Sequence, residues 1–422
     1  MPALPRTIPQ LTRLRDALLK VRAFSTLRYR EYRLLWGGQV FGTMGTWMDE
    51  VTRGWLIYEL TDSVVQLGLV RGIQVIPFVL FAPLAGSAAD RYSRKAQLVV
   101  AQLAAVAVYA VTAFLVLAHL IVPWHVYVSA FLIACAQVFQ QPARASMISE
   151  AVPHEYLTNA IGFNSLMFNV SRGVGPALAG VLIVAFGTGG AYAVQALFLL
   201  AASVFTFPLK PVAHAAPAGG RRESFAKSIV EGWKYGWTHE TVRAALWCVM
   251  LASFFIVPFT TLLPVFARDL LQVGAVGQGL LLTAMGTGAF FSAALVANAG
   301  HALPRGMMML VAGVVYGLSA VLFAVSPWYG LSLAAMTLAG LAHVHCNVLV
   351  NTVVQTYSEP GFRGRTMSIF GMHQAVITVA AMALGFLASA AGPRWAVAVM
   401  ATAGVLSMMV LNLAMPKAKH IR

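Results

Sequence analysis

Three charged residues stand inside an apolar stretch near the start of the chain. In GTWMDEVTRGWLIYELTDS (Gly45 to Ser63), Asp49 and Arg53 are four residues apart, and Glu50 and Arg53 are three apart. On a helix both carboxylates then lie beside one guanidinium. Ionisable side chains inside a membrane are costly and usually mark a path for protons or substrates. If the stretch crosses a membrane, the triplet predicts a site that binds protons or a polar ligand.

Two carboxylates and one guanidinium leave a negative charge to be balanced by another helix. Arg71 has nearer candidates in Glu59 and Asp62, so Arg172 is the expected partner of an acid of the triplet. A carboxylate holds a proton more tightly when it is desolvated and less tightly when an arginine approaches. Helix movements would therefore move protons. The alternative is a fixed, fully paired network that only sets packing.

Composition places these residues in a membrane protein. Only 10% of the 422 residues are charged and 59% are hydrophobic, a balance unsuited to a soluble chain. Apolar stretches of about 20 residues, enough for a membrane-crossing helix, recur along the chain. They predict an all-α membrane protein with twelve transmembrane helices, at 34–60, 65–89, 96–118, 124–144, 159–185, 190–208, 244–267, 277–299, 306–325, 328–350, 366–390 and 394–415.

The net charge of +15 is explained by topology. With the N-terminus inside, 24 of the 29 Lys and Arg residues fall in cytoplasmic segments, as the positive-inside rule requires. We therefore expect a multi-pass protein of the cytoplasmic (inner) membrane with both termini cytoplasmic, and no nucleic-acid partner. The first segment is basic and amphipathic and has no apolar core of a cleavable signal peptide.

The predicted helices fall into two equal sets. We expect a basic N-terminal segment (1–33), a six-helix bundle (34–208), a cytoplasmic linker (209–243), a second six-helix bundle (244–415) and a cytoplasmic tail (416–422). The two halves show weak sequence similarity, for example between GSAADRYSRK (86–95) and VANAGHALPRG (296–306). This supports two pseudo-symmetric bundles with a cavity between them. That plan is typical of carriers.

At these residues the chain resembles a known family. GSAADRYSRK is similar to the signature loop between helices 2 and 3 of the major facilitator superfamily, and RGVGPALAG (172–180) to its antiporter motif. The chain also resembles a branch of bacterial twelve-helix exporters that contains enterobactin-type siderophore and macrolide efflux carriers. The segments that carry this resemblance are GTWM, WLIYELTDSVVQLGLV, PARASMISEAVP and RGRTMS. Members of that branch usually carry neutral residues near Asp49 and Arg53.

The resemblance implies two sets of functional residues. The cytoplasmic gate motif, which latches the bundles, would consist of Gly86, Asp90, Arg91, Arg94 and Lys95. The antiporter motif, a helix bend that seals the inside-facing leak path and marks exporters, would consist of Gly173, Gly175, Pro176 and Gly180. The alternative for the gate motif is that its cations only fix the membrane topology. The alternative for the antiporter motif is that its Gly and Pro residues are those ordinarily tolerated in membrane helices.

Other polar and aromatic residues within the spans are candidates for the cavity wall. They are Trp47, Gln74, Gln137, Phe254, Phe255, His343, Asn347 and His373. His343 and Asn347 share a helix face, whereas His343 and His345, two residues apart, do not and cannot jointly bind a metal. Packing or structural hydrogen bonding is the alternative for each. No metal or cofactor is predicted.

The sequence thus favours a secondary active, proton-coupled exporter of small amphipathic molecules of the drug or siderophore class, working by alternating access. Its expected partners are the lipid bilayer, protons and the substrate, with a monomer as the default state. A proton-coupled symporter or importer and a lysolipid carrier are the alternatives within transport. A membrane enzyme acting on lipid, with His343 or His373 as base, lacks a recognisable nucleophile, metal set or phosphate loop.

Overall fold

The computed structural model describes residues 26–210, 234–235, 237–299, 304–359 and 362–415. Throughout these ranges the chain forms helices joined by short turns, without a strand. Most of the predicted N-terminal segment, most of the linker and the tail 416–422 lie outside the described residues. The first helix already begins at Arg30, inside the segment predicted to precede it.

Twelve helices of eight or more residues can be followed through the described ranges. Those of the first half are α1 (Arg30–Thr61), α2 (Val64–Arg91), α3 (Arg94–Leu117), α4 (Pro123–Glu150) and α5 (Leu157–Thr206). Those of the second half are α6 (Glu240–Phe255), α7 (Gly274–Ala299), α8 (Arg305–Val325), α9 (Tyr329–Tyr357), α10 (Arg363–Gly371), α11 (His373–Ala391) and α12 (Pro393–Ala414). A 3-10 turn (Val257–Leu262), a single α-helical turn (Leu263–Val265) and a π-helical turn (Phe266–Leu270) continue α6.

The helix α5 reverses direction at Gly187. Its 50 residues would extend about 75 Å as a straight rod, more than twice the thickness of a bilayer core. Gly187 has φ 70° and ψ 175°, a backbone conformation open to glycine but costly for other residues. At one end of α5 the carbonyl of Ala160 accepts a hydrogen bond from Tyr32 at 2.9 Å, and at the other Thr206 packs against Gly38. Both ends therefore return to the start of α1, and the arms 157–186 and 188–206 are antiparallel.

This reversal defines two ends of the molecule. We call the end where α1 stops and α5 turns the hairpin end, and the opposite end, next to the linker, the linker end. Ten helical stretches in the described residues are long and apolar enough to cross a membrane. The stretch that contains α5 crosses twice, and α1, which carries the charged triplet, is not among the ten. This arrangement fits the twelve predicted crossings.

The two bundles meet along two equivalent helix pairs, α2 with α11 and the first arm of α5 with α7. Gly68 lies against the backbone of Ala381 in the first pair. In the second pair, Thr283 donates a hydrogen bond to the carbonyl of Gly173 at 2.6 Å. Small residues at helix crossings allow backbones to approach closely, which is how membrane helices gain packing energy. The architecture is that of the major facilitator fold.

Candidate functional site

Asp49 and Arg53 form a buried ion pair on one face of α1. The carboxylate Oδ2 accepts two hydrogen bonds from Arg53, from Nε at 3.0 Å and from Nη2 at 2.6 Å. Arg53 Nη1 donates to the hydroxyl of Ser129 in α4 at 3.0 Å, and only 6% of the Asp49 side chain and 3% of the Arg53 side chain are exposed. The other carboxylate oxygen, Oδ1, is buried with no hydrogen-bond partner in the described residues. Asp49 therefore keeps one buried acceptor without a hydrogen-bond partner in the described residues.

Glu50 points away from this pair and binds Arg71 of α2. The contact is bidentate: Arg71 Nη1 donates to Oε2 at 2.8 Å and Nη2 to Oε1. Adjacent residues on a helix are separated by about 100°, so Asp49 faces α4 while Glu50 faces α2. The prediction that Arg71 pairs with Glu59 or Asp62 is wrong, because Asp62 pairs with Arg268 at 2.7 Å instead.

The four charges together are neutral but differ in access to water. About a quarter of each side chain of the Glu50–Arg71 pair is exposed, 25% and 28%. Both ion pairs border a partly open cavity between the bundles. Its wall includes Gln74 of α2 and residues of the second bundle that sequence reasoning missed: Thr260, Thr261, Pro264, Gln278 and Leu282. The cavity is thus shared by both bundles.

Arg172 belongs to a different cluster, so its predicted pairing with Asp49 or Glu50 is also wrong. Its guanidinium lies over the ring of Trp47, 5.5 Å from the centroid. α1 and α5 are held together here by a hydrogen bond of 2.9 Å between Thr43 and Ser171. A Cβ on Gly175 would come within 2.7 Å of Trp47, so glycine is needed for this close approach.

A separate pair of rings lies in the second bundle. His343 of α9 lies with its ring centroid 5.0 Å from that of Tyr316 in α8. Trp47, Arg172 and His343 each lie about 20 Å along their helices from the hairpin end, hence near mid-membrane. Trp47 and His343 are predicted cavity residues; Tyr316 was not foreseen.

The other predicted cavity residues are not among those that line the cavity beside the ion pairs. Phe254 and Phe255 form an edge-to-face pair with centroids 4.9 Å apart. His373 is buried, with Nδ1 2.6 Å from the carbonyl of Phe370. Gln137 and Asn347 are half-buried in α4 and α9. Whether these residues contact substrate stays a prediction.

The predicted gate motif is only partly described. The backbone of Gly86, Asp90 and Arg91 is helical, and the side chains of Asp90 and Arg91 lie outside the described part. Arg94 pairs with Glu150 of α4, and Lys95 lies 5.9 Å from the ring centroid of Phe207. These contacts are within the first bundle, so the role of the motif as a latch between bundles stays a prediction.

The predicted antiporter motif lies largely at the contact between the bundles. Pro176 and Gly180 pack against the start of α7, with Gly279 and Ala275 as their neighbours. Gly173 meets Gly286 in the same helix pair, and a Cβ on Gly286 would lie 2.7 Å from the Gly173 Cα. Gly175 instead packs against α1. The motif therefore permits a close helix crossing.

Four residues at the hairpin end also join the bundles and were not predicted as a unit. Asp62 binds Arg268 at 2.7 Å, and the hydroxyl of Tyr58 donates to Asp269. The guanidinium of Arg268 lies 5.2 Å from the ring centroid of Tyr58. We call Tyr58, Asp62, Arg268 and Asp269 the clasp. The adjacent Arg and Asp in a predicted outer loop were the signal for it in the sequence.

Comparisons with known proteins agree with this architecture. Residues 21–421 match the transmembrane secretion effector family. The chain is 21% identical over 350 residues to the staphyloferrin A transporter of Staphylococcus aureus (strain NCTC 8325 / PS 47), covering 83% of this chain and 87% of that protein. It is 22% identical over 373 residues to macrolide efflux protein A of Streptococcus pyogenes, covering 86% and 90%.

A solved structure gives the same fold. The nucleoside transporter NupG superposes with a TM-score of 0.70 at 15% identity, over 92% of this chain and 99% of that chain. With the family match, this confirms the predicted resemblance. The chain therefore belongs to the transmembrane secretion effector family of the major facilitator superfamily, and it is a membrane transporter rather than an enzyme.

Proposed function

We propose that the protein is a proton-coupled exporter of small amphipathic molecules that works by alternating access in the bacterial cytoplasmic membrane. The observation that carries the proposal is the position of Glu50. Its carboxylate lies in the wall of a cavity shared by both bundles and is about one quarter exposed, at 25%. A carboxylate in this position can exchange a proton with water, and its environment changes when the opposite wall moves.

The contacts between the bundles support an inward-open state. The clasp and the crossings of α5 with α7 and α2 with α11 close the hairpin half of the molecule. The excess of Lys and Arg at the other end makes the linker end cytoplasmic by the positive-inside rule. The cavity would then open to the cytoplasm, with both termini on that side.

The ion pairs suggest different roles for the two acids. Both pairs lie within the first bundle, so rigid rotation of the bundles breaks neither of them; they differ in exposure, 6% for the Asp49 side chain against 25% for that of Glu50. Glu50 lines the cavity together with Thr260, Thr261 and Gln278 of the other bundle. Rotation separates these walls and changes the hydration of Glu50, which alters how tightly it holds a proton. We therefore assign proton exchange to Glu50 and a positioning role to Asp49.

The direction follows from this scheme. In the inward-open state Glu50 is paired with Arg71 and deprotonated, as expected after proton release to the cytoplasm. Substrate would bind there and leave on the outer side, where Glu50 regains a proton. Two of the relatives are named as a staphyloferrin A transporter and a macrolide efflux protein, which supports export of the siderophore or drug class. We expect a monomer to suffice, since the cavity is formed within one chain.

The test is substrate-triggered proton release from acidified inside-out vesicles. The panel contains a macrolide, a catecholate siderophore, a hydroxycarboxylate siderophore and a lipophilic cation. At least one compound is expected to discharge the gradient in the wild type and to fail in Glu50→Gln. Glu59→Gln is the matched control, because it makes the same change on an exposed residue of the same helix. It is expected to behave like the wild type.

Other outcomes of these experiments would contradict the proposal. Normal discharge by Glu50→Gln at wild-type abundance would show that Glu50 is not the coupling residue. Compounds that are driven into cells by the proton gradient would identify a symporter. If only lysolipids were moved, and without proton release, the protein would be a lipid carrier.

A further inference from the structure

The charges in the wall of the cavity cancel when both acids of α1 are ionised. The ionisable residues of the lining form two ion pairs, Asp49 with Arg53 and Glu50 with Arg71. The second bundle contributes only uncharged residues to the lining: Thr260, Thr261, Pro264, Gln278 and Leu282. The lining as a whole therefore has no net charge while Glu50 is deprotonated.

Only one of the two pairs is placed to exchange a proton with water. The side chains of Asp49 and Arg53 are 6% and 3% exposed, whereas those of Glu50 and Arg71 are 25% and 28% exposed. An arginine stays protonated under all conditions in which a protein works. Protonation of Glu50 therefore leaves the guanidinium of Arg71 without a counter-charge. The lining then has a net charge of one positive unit.

This change acts on a bound molecule according to the sign of its charge. In a partly solvated site, loss of a carboxylate charge about 5 Å away changes the affinity of a singly charged ligand about ten- to a hundredfold. Once Glu50 is protonated, a cation binds less tightly, an anion binds more tightly, and an uncharged molecule binds about equally. By linkage, a bound cation weakens proton binding to the same extent, and a bound anion strengthens it.

Exchange of a proton for a substrate requires that the two do not bind together, because a carrier loaded with both moves them in the same direction. Through Glu50, only a cationic substrate meets this requirement. We propose that Arg71 sets the charge selectivity of the cavity, so that the exported molecule is a basic amphiphile with a positively charged amine and molecules with a carboxylate are excluded. The inference rests on the proposed function as a proton-coupled exporter and narrows its substrate class.

The lining offers contacts for both parts of such a molecule. Each oxygen of Glu50 accepts one hydrogen bond from Arg71, and a carboxylate has about four acceptor positions, so positions remain for an ammonium group. The hydroxyl of Thr260 donates to the carbonyl of Val257 at 3.1 Å, and its oxygen can still accept. The hydrocarbon body would contact the apolar part of the lining, which consists of Ile57, Leu67, Val70 and Leu282.

The test compares three probes with one naphthalene body and a primary ammonium, a carboxamide or a carboxylate group. Binding is measured at neutral pH by equilibrium dialysis against the full chain in phosphatidylcholine nanodiscs, with protein-free nanodiscs subtracted. Glu50→Gln serves as a permanent mimic of the protonated acid. The ammonium probe should bind this variant about ten- to a hundredfold less tightly than the wild type, and the carboxylate probe should bind it more tightly. Equal binding of the amide reports that the variant is folded.

A second variant separates the charge of Arg71 from the lost contact with Glu50. In Glu50→Gln with Arg71→Gln the lining is neutral again, so the ammonium probe should recover most of the affinity lost in Glu50→Gln. The carboxylate probe should return to its wild-type affinity. Glu59→Gln, which changes an exposed acid of the same helix, is the control and should match the wild type with all three probes.

The proposal is overturned if the ammonium probe binds Glu50→Gln as tightly as the wild type, or if the carboxylate probe binds Glu50→Gln less tightly. It is also overturned if the double variant binds the ammonium probe no better than Glu50→Gln does, since the repelling charge would then not be that of Arg71. Dialysis uses no proton gradient, so its result is independent of transport. The expected affinity changes with no proton release in vesicles would sink the proposed exporter and leave the charge selectivity standing.

Discussion

Arg268 lies 2.7 Å from the carboxylate of Asp62 and so joins the start of the second bundle to the end of α1. The same guanidinium stacks near Tyr58, whose hydroxyl donates to Asp269. The clasp thus links two bundles that share no chain connection at this end. If the linker end is cytoplasmic, opening of the carrier to the outside requires that these contacts break.

Arg268→Gln should therefore favour the outward-open state. The pair is well exposed, with 38% of Arg268 and 70% of Asp62 accessible, and exposed pairs contribute about 0–1 kcal/mol. We expect a change of up to severalfold in the open population. Double electron–electron resonance between spin labels at positions 59 and 272, in a cysteine-depleted chain, measures it. Unchanged distances in both Arg268→Gln and Tyr58→Phe would show that the clasp does not hold the bundles together.

Asp49→Asn should destabilise the protein more than Glu50→Gln does. Removing one partner of a buried pair costs about 3–5 kcal/mol because the other charge stays buried without compensation. Arg53 is only 3% exposed, whereas 28% of Arg71 is exposed. Thermal melting in detergent should rank the two variants in this order. In the double variant Asp49→Asn with Arg53→Gln, part of the lost stability should return; equal melting of single and double variants would contradict the argument.

The helices of this fold were largely predictable from the sequence. Apolar length sets the spans, and prolines at the first turn mark where α4 and α12 begin, at Pro123 and Pro393. The chain reverses direction within one residue at Gly187. The drop in hydropathy between the two crossings is therefore short, and it does not show how tight the turn is. The side-chain partners were harder to predict. Sequence spacing gives the roughly 100° between Asp49 and Glu50, but not which helix stands opposite each of them.

The errors at Arg71 and Arg172 have this common cause. Both arginines were assigned to acids by distance along the chain or by elimination of charges, whereas the bundle places α2 beside Glu50 and α5 beside Trp47. For the same reason the sequence does not show that Cys248 and Cys346 are in contact, although their sulfur atoms lie 3.6 Å apart. The contact of Tyr316 with His343 was missed because the sequence does not show which face of α8 meets α9.

Gly286→Ala tests whether the crossing of α5 and α7 must be this close. The added Cβ would meet the Gly173 Cα at 2.7 Å, and that backbone atom cannot move without separating the bundles. Gly162→Ala is the matched control, because a Cβ at this position of α5 has open space. Both changes gain about 1 kcal/mol of helix propensity, so a difference between them reports the crossing alone. Spin labels at positions 59 and 272 should move apart in Gly286→Ala and stay as in the wild type in Gly162→Ala. If both variants keep the wild-type distance, the crossing tolerates a methyl group, and the antiporter motif does not act through close packing at this point.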